Sequence, residues 1–220
     1  MKSKNLLFLF LFCSASIFAQ QQQQGKYFFV KSGHIEYTLG GNTTGTKSVW
    51  FDNYGMLMYT IIESTTTVKV FGFSNKTSEK KLEIRKGNQI WLANLLDNTG
   101  SQMGIEDQTE IGKEITSGQT DAQLHAKERK MITDMGGEIE GYETFLGRNC
   151  LKFNMGSTKF LQFKGIPLKS NVALIGITYT ETATSFDTNA TVPANKFELP
   201  KNIKFQQMSE SLDALKNETN

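Results

Sequence analysis

Hydrophobic and polar residues alternate with a period of two over much of the chain, a pattern typical of strands that bury one face. Ile35, Tyr37 and Leu39 follow it clearly, and Gly40-Gly41-Asn42 then turns the chain. Strand-like segments recur at short intervals, joined by turns rich in Gly and Asn, at 49–51, 56–62, 67–73, 80–85, 89–95, 151–155, 159–163 and 172–179. This spacing predicts an antiparallel meander, since no β–α–β alternation occurs in the first half.

The middle of the chain has a different pattern. Residues 98–119 are polar and Gly-rich, which predicts a long surface loop. The segment 120–135 predicts a helix that begins at Thr120 or Asp121 and ends at Gly136-Gly137. Its apolar stripe is narrow, which favours a helix lying on a surface. Pro193 and Pro200 bracket a segment that we predict to be a short closing strand at an edge of the sheet.

The first 19 residues have the plan of a secretory signal peptide. Two lysines precede a short apolar run, and small residues end at Ala19. The alternative is a lipoprotein signal ending at Cys13, which is disfavoured because Leu11 and Phe12 precede that cysteine. We therefore predict an exported protein of the periplasm or outer membrane surface, or a secreted one. The predicted organisation is a signal peptide 1–19, a flexible leader 20–25, one antiparallel β-rich domain 26–207 and a weakly helical tail 208–220.

Composition and charge exclude several classes of function. Hydrophobic residues make up 38% of the chain and charged residues 21%, as in a globular protein. There are 24 basic and 22 acidic residues, and removal of two lysines with the signal peptide leaves 22 of each. A neutral surface gives no reason to expect nucleic acid as a partner. Two His and two Cys are too few for most zinc sites, so we predict no metal and no cofactor. Cys150 is then the single thiol and is expected to be free.

Catalytic signatures are absent from the sequence. Cys150 with His34 or His125 is the only nucleophile–base pair available, and Cys150 begins an alternating strand, where a cysteine usually packs as a small hydrophobe. Asp52 lies among aromatic residues, but Asp-Asn before Tyr-Gly is also turn chemistry. We predict a protein that is not an enzyme, with a hydrolase using two carboxylates as the weakest alternative.

Aromatic residues are common in the predicted strands, and several strands carry apolar residues on both faces. A sheet of this kind needs a cover on each face, or one cover and a hydrophobic ligand. Both a groove and a filled sandwich core fit this pattern.

Five segments carry a resemblance to a known group: VWFDNYG (49–55), IRKGNQIWLANLLDNTG (84–100), LGRNCLKFNM (146–155), FKGIPLK (163–169) and FELPKNIKF (197–205). They resemble uncharacterised exported proteins of Bacteroidetes, which are distantly similar in design to periplasmic lipoprotein carriers of the Lol type. The resemblance implies a mainly β (α+β) fold: a strongly curved antiparallel sheet, or half-barrel, with one main helix on its concave face. In the carriers that cavity holds the acyl chains of a lipoprotein.

The sequence therefore predicts a non-enzymatic binding protein with an apolar groove for a lipid or a lipidated partner. The alternative is a structural or interaction module of the cell envelope with a filled core and no ligand. We predict neither nucleic acid as a partner nor an integral membrane protein. The candidate ligand-binding residues are Phe51, Trp91, Leu124, Met131, Met135 and Phe153.

Overall fold

A computed structural model describes residues 26–70, 73–104, 120–174 and 177–208. The predicted signal peptide, the leader and most of the predicted tail lie outside the described residues. The one α-helix of the described residues is α1 (Asp121–Asp134). The strands are β1 (Gly33–Gly41), β2 (Thr43–Asp52), β3 (Leu57–Val70), β4 (Phe73–Lys86), β5 (Gln89–Asn94), β6 (Thr99–Gly104), β7 (Glu138–Phe145), β8 (Arg148–Met155), β9 (Thr158–Phe163), β10 (Ile166–Leu174), β11 (Ile177–Asp187) and β12 (Lys204–Gln207). The prediction of a mainly β fold is confirmed.

All twelve strands belong to one sheet, in the order β12-β6-β5-β4-β3-β2-β1-β11-β10-β9-β8-β7. Neighbouring strands are antiparallel, except that β12 runs parallel to β6. The sheet is therefore mixed, and the prediction of a purely antiparallel sheet is wrong at this edge. Since β12 and β7 have one neighbour each, the sheet is open. The two halves of the meander meet where β1 pairs with β11.

Alternation of side chains sets the register of the first half. Ile35 of β1, Val49 of β2 and Thr60 of β3 are successive cross-strand partners, and all three are buried. Paired residues of an antiparallel ladder point to the same face, so this row is one line of the core. The Asp52–Gly55 segment forms the predicted turn: the Asp52 carboxylate accepts a hydrogen bond from the Asn53 N–H at 2.6 Å.

Four predicted elements are wrong in detail. The segment 172–179 is not one strand, because β10 ends at Leu174 and pairs with Ile177, the first residue of β11. The segment 67–73 is not one strand, because β3 ends at Val70 and pairs directly with Phe73, the first residue of β4. The predicted loop 98–119 begins with a strand, β6, which pairs with β5 along its length despite a polar sequence, while residues 105–119 lie outside the described part. The predicted closing strand is a short 3-10 helix, Ala194–Phe197, and the edge strand follows later as β12.

Three clusters of buried residues hold the sheet together. The central core joins β1, β2, β8, β9, β10 and β11, with Phe51 and Leu168 fully buried in it. A second core lies on β4 and β5, where Ile203 and Phe205 from the C-terminal segment cover Leu82 and Ala93. A third, the helix core, consists of Ile132 of α1 with Leu151 and Phe153 of β8.

The helix α1 begins and ends where the sequence predicts. Thr120 is its N-cap, and the Thr120 and Gln123 side chains form a reciprocal capping box. Gly136 follows with φ +81°, a backbone conformation that favours glycine. Ile132 and Glu128 are its buried residues, so α1 is a surface helix that contacts the sheet through a narrow stripe.

Candidate functional site

A cavity of about 250 Å³ lies between α1 and the sheet and is termed the helix cavity. Leu151 and Phe153 of β8 are the partners of Gln162 and Phe160 of β9, so these four side chains share the face that α1 covers. The rings of Phe153 and Phe160 stack with centroids 4.9 Å apart. The lining residues are mostly aromatic or methionine: Tyr27, Phe29, Glu128, Met131, Ile132, Met135, Phe153, Met155, Phe160, Gln162 and Gly165.

The segment 26–30 forms one wall of the helix cavity and spans the two halves of the sheet. The Tyr27 N–H donates to the Tyr54 carbonyl at 2.9 Å, and the Phe29 N–H donates to the Lys164 carbonyl at 3.0 Å. The β9–β10 turn approaches this segment closely, because a Cβ at Gly165 would lie 3.1 Å from the Tyr27 carbonyl oxygen. Gly165 also has φ +81°, so both geometry and space favour glycine there.

Glu128 fixes α1 to the sheet and is the one buried charged residue among the described residues, with 3% of its surface exposed. Its Oε1 accepts hydrogen bonds from Gln162 Nε2 at 2.8 Å and from the Gly165 N–H at 3.0 Å. Its Oε2 lies 3.4 Å from His125 Nδ1 on the preceding turn of the helix. A buried carboxylate needs such partners, so Glu128 and Gln162 together form a polar corner of a cavity lined mostly by apolar and aromatic side chains.

A second and larger cavity, of about 460 Å³, lies across β3–β6 and is termed the strand cavity. Two cross-strand rows supply most of its lining, Thr60–Glu83–Leu92–Ser101 and Ile62–Lys81–Asn94–Thr99. Hydroxyl, amide and charged groups predominate in these rows, and Ile62 and Leu92 are their apolar members. The strand cavity therefore has more polar side chains in its lining than the helix cavity does.

The structure brings three of the six predicted ligand-binding residues together: Met131, Met135 and Phe153 all line the helix cavity. Leu124 lies on α1 outside this lining. Phe51 lies fully buried in the central core, with the edge of the Phe28 ring against it. Trp91 lies in the second core, where its indole N–H donates to Gln102 at 2.9 Å. Phe51 and Trp91 thus pack within cores and belong to no common site with the helix cavity.

Sequence reasoning missed several lining residues, among them Tyr27, Phe29, Met155 and Phe160. Met155 and Phe160 were detectable in principle, since they continue the alternation of β8 and β9 on the face of Phe153. Tyr27 and Phe29 were not, because their segment has no regular structure and its position depends on the two turns that it bridges.

Cys150 is fully buried in the central core and is a free thiol. Burial raises the pKa of this thiol, so it stays protonated at neutral pH, unlike a nucleophilic cysteine. The structure does place a serine, a histidine and a carboxylate together on β1 and β2: His34 Nε2 lies 3.0 Å from Ser48 Oγ and 2.6 Å from Glu36 Oε1. Both groups contact the same ring nitrogen, whereas a catalytic relay orients the ring through the other one. We assign no catalytic role to this cluster.

Over the described ranges, no group of three or more His, Cys, Asp or Glu side chains is arranged to hold a metal ion. The same ranges contain no helix long and apolar enough to cross a membrane.

No protein-family model and no curated protein sequence matches this chain. Among solved structures, the chain is similar to the crystal structure of an uncharacterised conserved protein from Thermus thermophilus, with a TM-score of 0.47 and 12% identity over 81% of this chain and 91% of that chain. It is also similar to the crystal structure of MucB, with a TM-score of 0.39 and 12% identity over 80% of this chain. The match spans 60% of the MucB chain. At this level of similarity neither structure assigns a function to this chain.

Proposed function

We propose that this chain is an exported, non-enzymatic binding protein that holds the end of an acyl chain, from a lipid or a lipidated partner, in the helix cavity. The observation that carries the proposal is the lining of that cavity, in which methionine and aromatic side chains surround about 250 Å³ of space beside a surface helix. Methionine suits this role because its flexible thioether adapts to ligands of different shape.

The size of the helix cavity limits what it holds. An apolar cavity of about 150 Å³ takes up benzene in a well-packed protein. A cavity of about 250 Å³ therefore accommodates a larger apolar group, but not a whole lipid. Met135, at the end of α1, is 57% exposed and marks a side on which the rest of the ligand can leave the cavity.

A curved sheet with α1 on its concave face is part of this proposal. Arg148 at the start of β8 donates from Nη2 to the Phe186 carbonyl of β11 at 2.8 Å. In a flat sheet β8 and β11 would be about 14 Å apart, since β9 and β10 lie between them. An arginine side chain does not span that distance, so the contact supports a strong bend in this half of the sheet. The resemblance to Lol-type carriers remains a prediction.

The test is the binding of a fluorescent fatty acid to the purified protein and to a variant whose cavity is filled. Met131→Trp adds a large ring to the helix cavity and should weaken binding at least about tenfold, because it removes the space for the apolar group. The matched control is Ile62→Trp, which fills the strand cavity and should leave binding unchanged. Thermal unfolding of both variants shows that each is folded.

Two results would contradict the proposal. Loss of binding in Ile62→Trp, with binding retained in Met131→Trp, would assign the ligand to the strand cavity. A wild-type protein that binds no apolar probe would favour the second candidate, a structural or interaction module of the envelope. The specific observation behind that candidate is the filled central core, in which Phe51 and Leu168 are fully buried.

A further inference from the structure

The ends of two hairpins carry exposed apolar side chains. Phe73, the first residue of β4, is 80% exposed, and Val68 of β3 is 41% exposed. Ile177, the first residue of β11, is 51% exposed. Soluble hairpins usually turn through polar residues such as Asn-Gly or Asp-Gly. Here the sequence joins Val70 to Phe73 through Phe-Gly, and Leu174 to Ile177 through Ile-Gly.

These two hairpins lie at the same end of the sheet, on either side of the β1–β2 turn. The Asn42 N–H donates to the Thr178 carbonyl at 2.8 Å, and the Thr67 N–H donates to the Asn42 carbonyl at 2.8 Å. The Asn42 side chain accepts from the Thr178 N–H at 2.7 Å as well. Asn42 thus forms hydrogen bonds with both the β3–β4 hairpin and the β10–β11 hairpin. Both hairpins extend beyond the level of Asn42. Three further residues carry β3 about 10 Å beyond Thr67.

The charge of this end differs from that of the rest of the chain. We define the hairpin end as residues 40–45, 67–70, 73–76, 171–174 and 177–180. Its sequence contains Lys69 and Lys76 and no Asp or Glu, although the chain has 22 acidic residues. An end with exposed apolar tips, two cations and no anion is complementary to a layer that is apolar inside and negatively charged at its surface.

We propose that the hairpin end docks on an anionic lipid bilayer, with Phe73 and Ile177 entering the boundary between headgroups and acyl chains. The apolar tips supply the insertion, and the two lysines supply an attraction that anionic headgroups strengthen and salt weakens. The proposal uses no residue of the helix cavity, so it stands or fails independently of the proposed function.

The test is co-sedimentation with vesicles of the exported protein, purified from cells that express the full chain. Binding should be stronger to vesicles of phosphatidylcholine with phosphatidylglycerol than to phosphatidylcholine alone, and should fall at high salt. Phe73→Ser and Ile177→Ser should each lower the partition coefficient about tenfold, because each removes a large apolar group from the inserted part. A Phe73→Trp variant should gain fluorescence that brominated lipids quench.

The matched control is Leu96→Ser. Leu96 is 59% exposed, but it lies away from the hairpin end. Its neighbour Leu95 donates a backbone hydrogen bond to Lys80, which is about 23 Å along β4 from Phe73. This variant should bind vesicles as the wild type does. The unfolding midpoints of all three serine variants should match the wild type, because each position is exposed. Three results would overturn the proposal: no binding to either vesicle, equal loss in Leu96→Ser, or lipid-free self-association that depends on Phe73.

Discussion

The two halves of the sheet are covered in different ways. In the β3–β6 part, the C-terminal segment 194–203 lies on one face and leads into the edge strand β12. The fit beside β6 is tight: a Cβ added to Gly100 would lie 2.7 Å from Ile203 and 2.8 Å from Phe205, the partner of Gly100 on β12. In the β7–β9 part the cover is α1, which contributes Ile132 and Glu128 as its buried residues and leaves the helix cavity beside them. The C-terminal segment packs Leu199 and Ile203 on the second core, whereas a helix such as α1 contacts a sheet only once per turn. The kind of cover therefore decides whether space for a ligand remains directly beneath it.

The largest loss of stability should come from shortening a side chain of the C-terminal segment that packs on the second core. Ile203 is buried against Leu82 and Ala93, so Ile203→Ala should lower the free energy of unfolding by about 2–5 kcal/mol through lost contacts and a new cavity. Urea unfolding measures this change. Leu96→Ala removes an exposed side chain instead and should stay within about 0.5 kcal/mol of the wild type. If both variants were equally stable, the C-terminal segment would not be a cover.

The central core joins the two halves of the sheet. Its contribution to the stability of the protein should decrease at alkaline pH. Tyr37 of β1 donates its hydroxyl hydrogen to the Pro167 carbonyl of β10 at 2.9 Å. Burial raises the pKa of Tyr37 above the ordinary value of 10.0, and the charge of Glu181 adds to the shift. Above pH 10 the unfolded chain loses this proton while the folded chain keeps it. Stability is therefore fully present below pH 10 and declines as the pH rises.

Urea midpoints measured at about pH 8 and about pH 11 test this sign. Tyr37→Phe should lower stability at about pH 8 by about 1 kcal/mol, since the hydrogen bond is lost. Its decline with pH should be shallower, so the difference from the wild type should shrink at about pH 11. Part of the decline should persist, because burial and a hydrogen bond to Glu181 also raise the pKa of Tyr179. An unchanged slope in Tyr37→Phe would exclude Tyr37 as its source.

A loss of stability smaller than that of Ile203→Ala is expected where Glu128 holds α1 to the sheet. Glu128→Ala leaves Gln162 and the Gly165 N–H without their acceptor and should cost about 1–3 kcal/mol. Glu128→Gln retains an acceptor oxygen and should cost less. Hydrogen exchange should locate the loss in α1 and the β9–β10 turn. Uniform exchange across the whole sheet would show that the helix does not open on its own.

Much of the fold follows from local patterns, and the rest depends on contacts distant in sequence. The alternation at Ile35, Tyr37 and Leu39 and the caps of α1 are local signals, so the sequence predicts both elements correctly. Strand β6 has no apolar alternation and is held by backbone pairing with β5 and β12, which only the assembled sheet supplies.

The candidate site shows the same limit. Met131, Met135 and Phe153 line the helix cavity, and helical and strand periodicity mark the faces on which they lie, while their contact with a ligand stays a prediction. Phe51 and Trp91 have the same apolar character, yet Phe28 packs against one and residues of the C-terminal segment share a core with the other. The spacing of apolar residues within a strand does not show which of its aromatic side chains a segment distant in sequence will cover.

The last prediction concerns the N-terminal cap of α1. It tests whether α1 can open while the sheet beneath it stays folded. The Thr120 hydroxyl accepts from the Gln123 N–H at 3.3 Å, and the Gln123 side chain accepts from the Thr120 N–H at 2.9 Å. Thr120→Ala removes half of this box and should cost about 1 kcal/mol, all of it in the first turn of α1. Because α1 covers the sheet through a narrow stripe, its amides should exchange faster in this variant while those of β8 keep their protection. Thr120→Ser, which keeps the hydroxyl, should restore the slow exchange. If the amides of β8 accelerated together with those of α1, the helix would be an inseparable part of the core, and the contrast between a tight and a loose cover would fail.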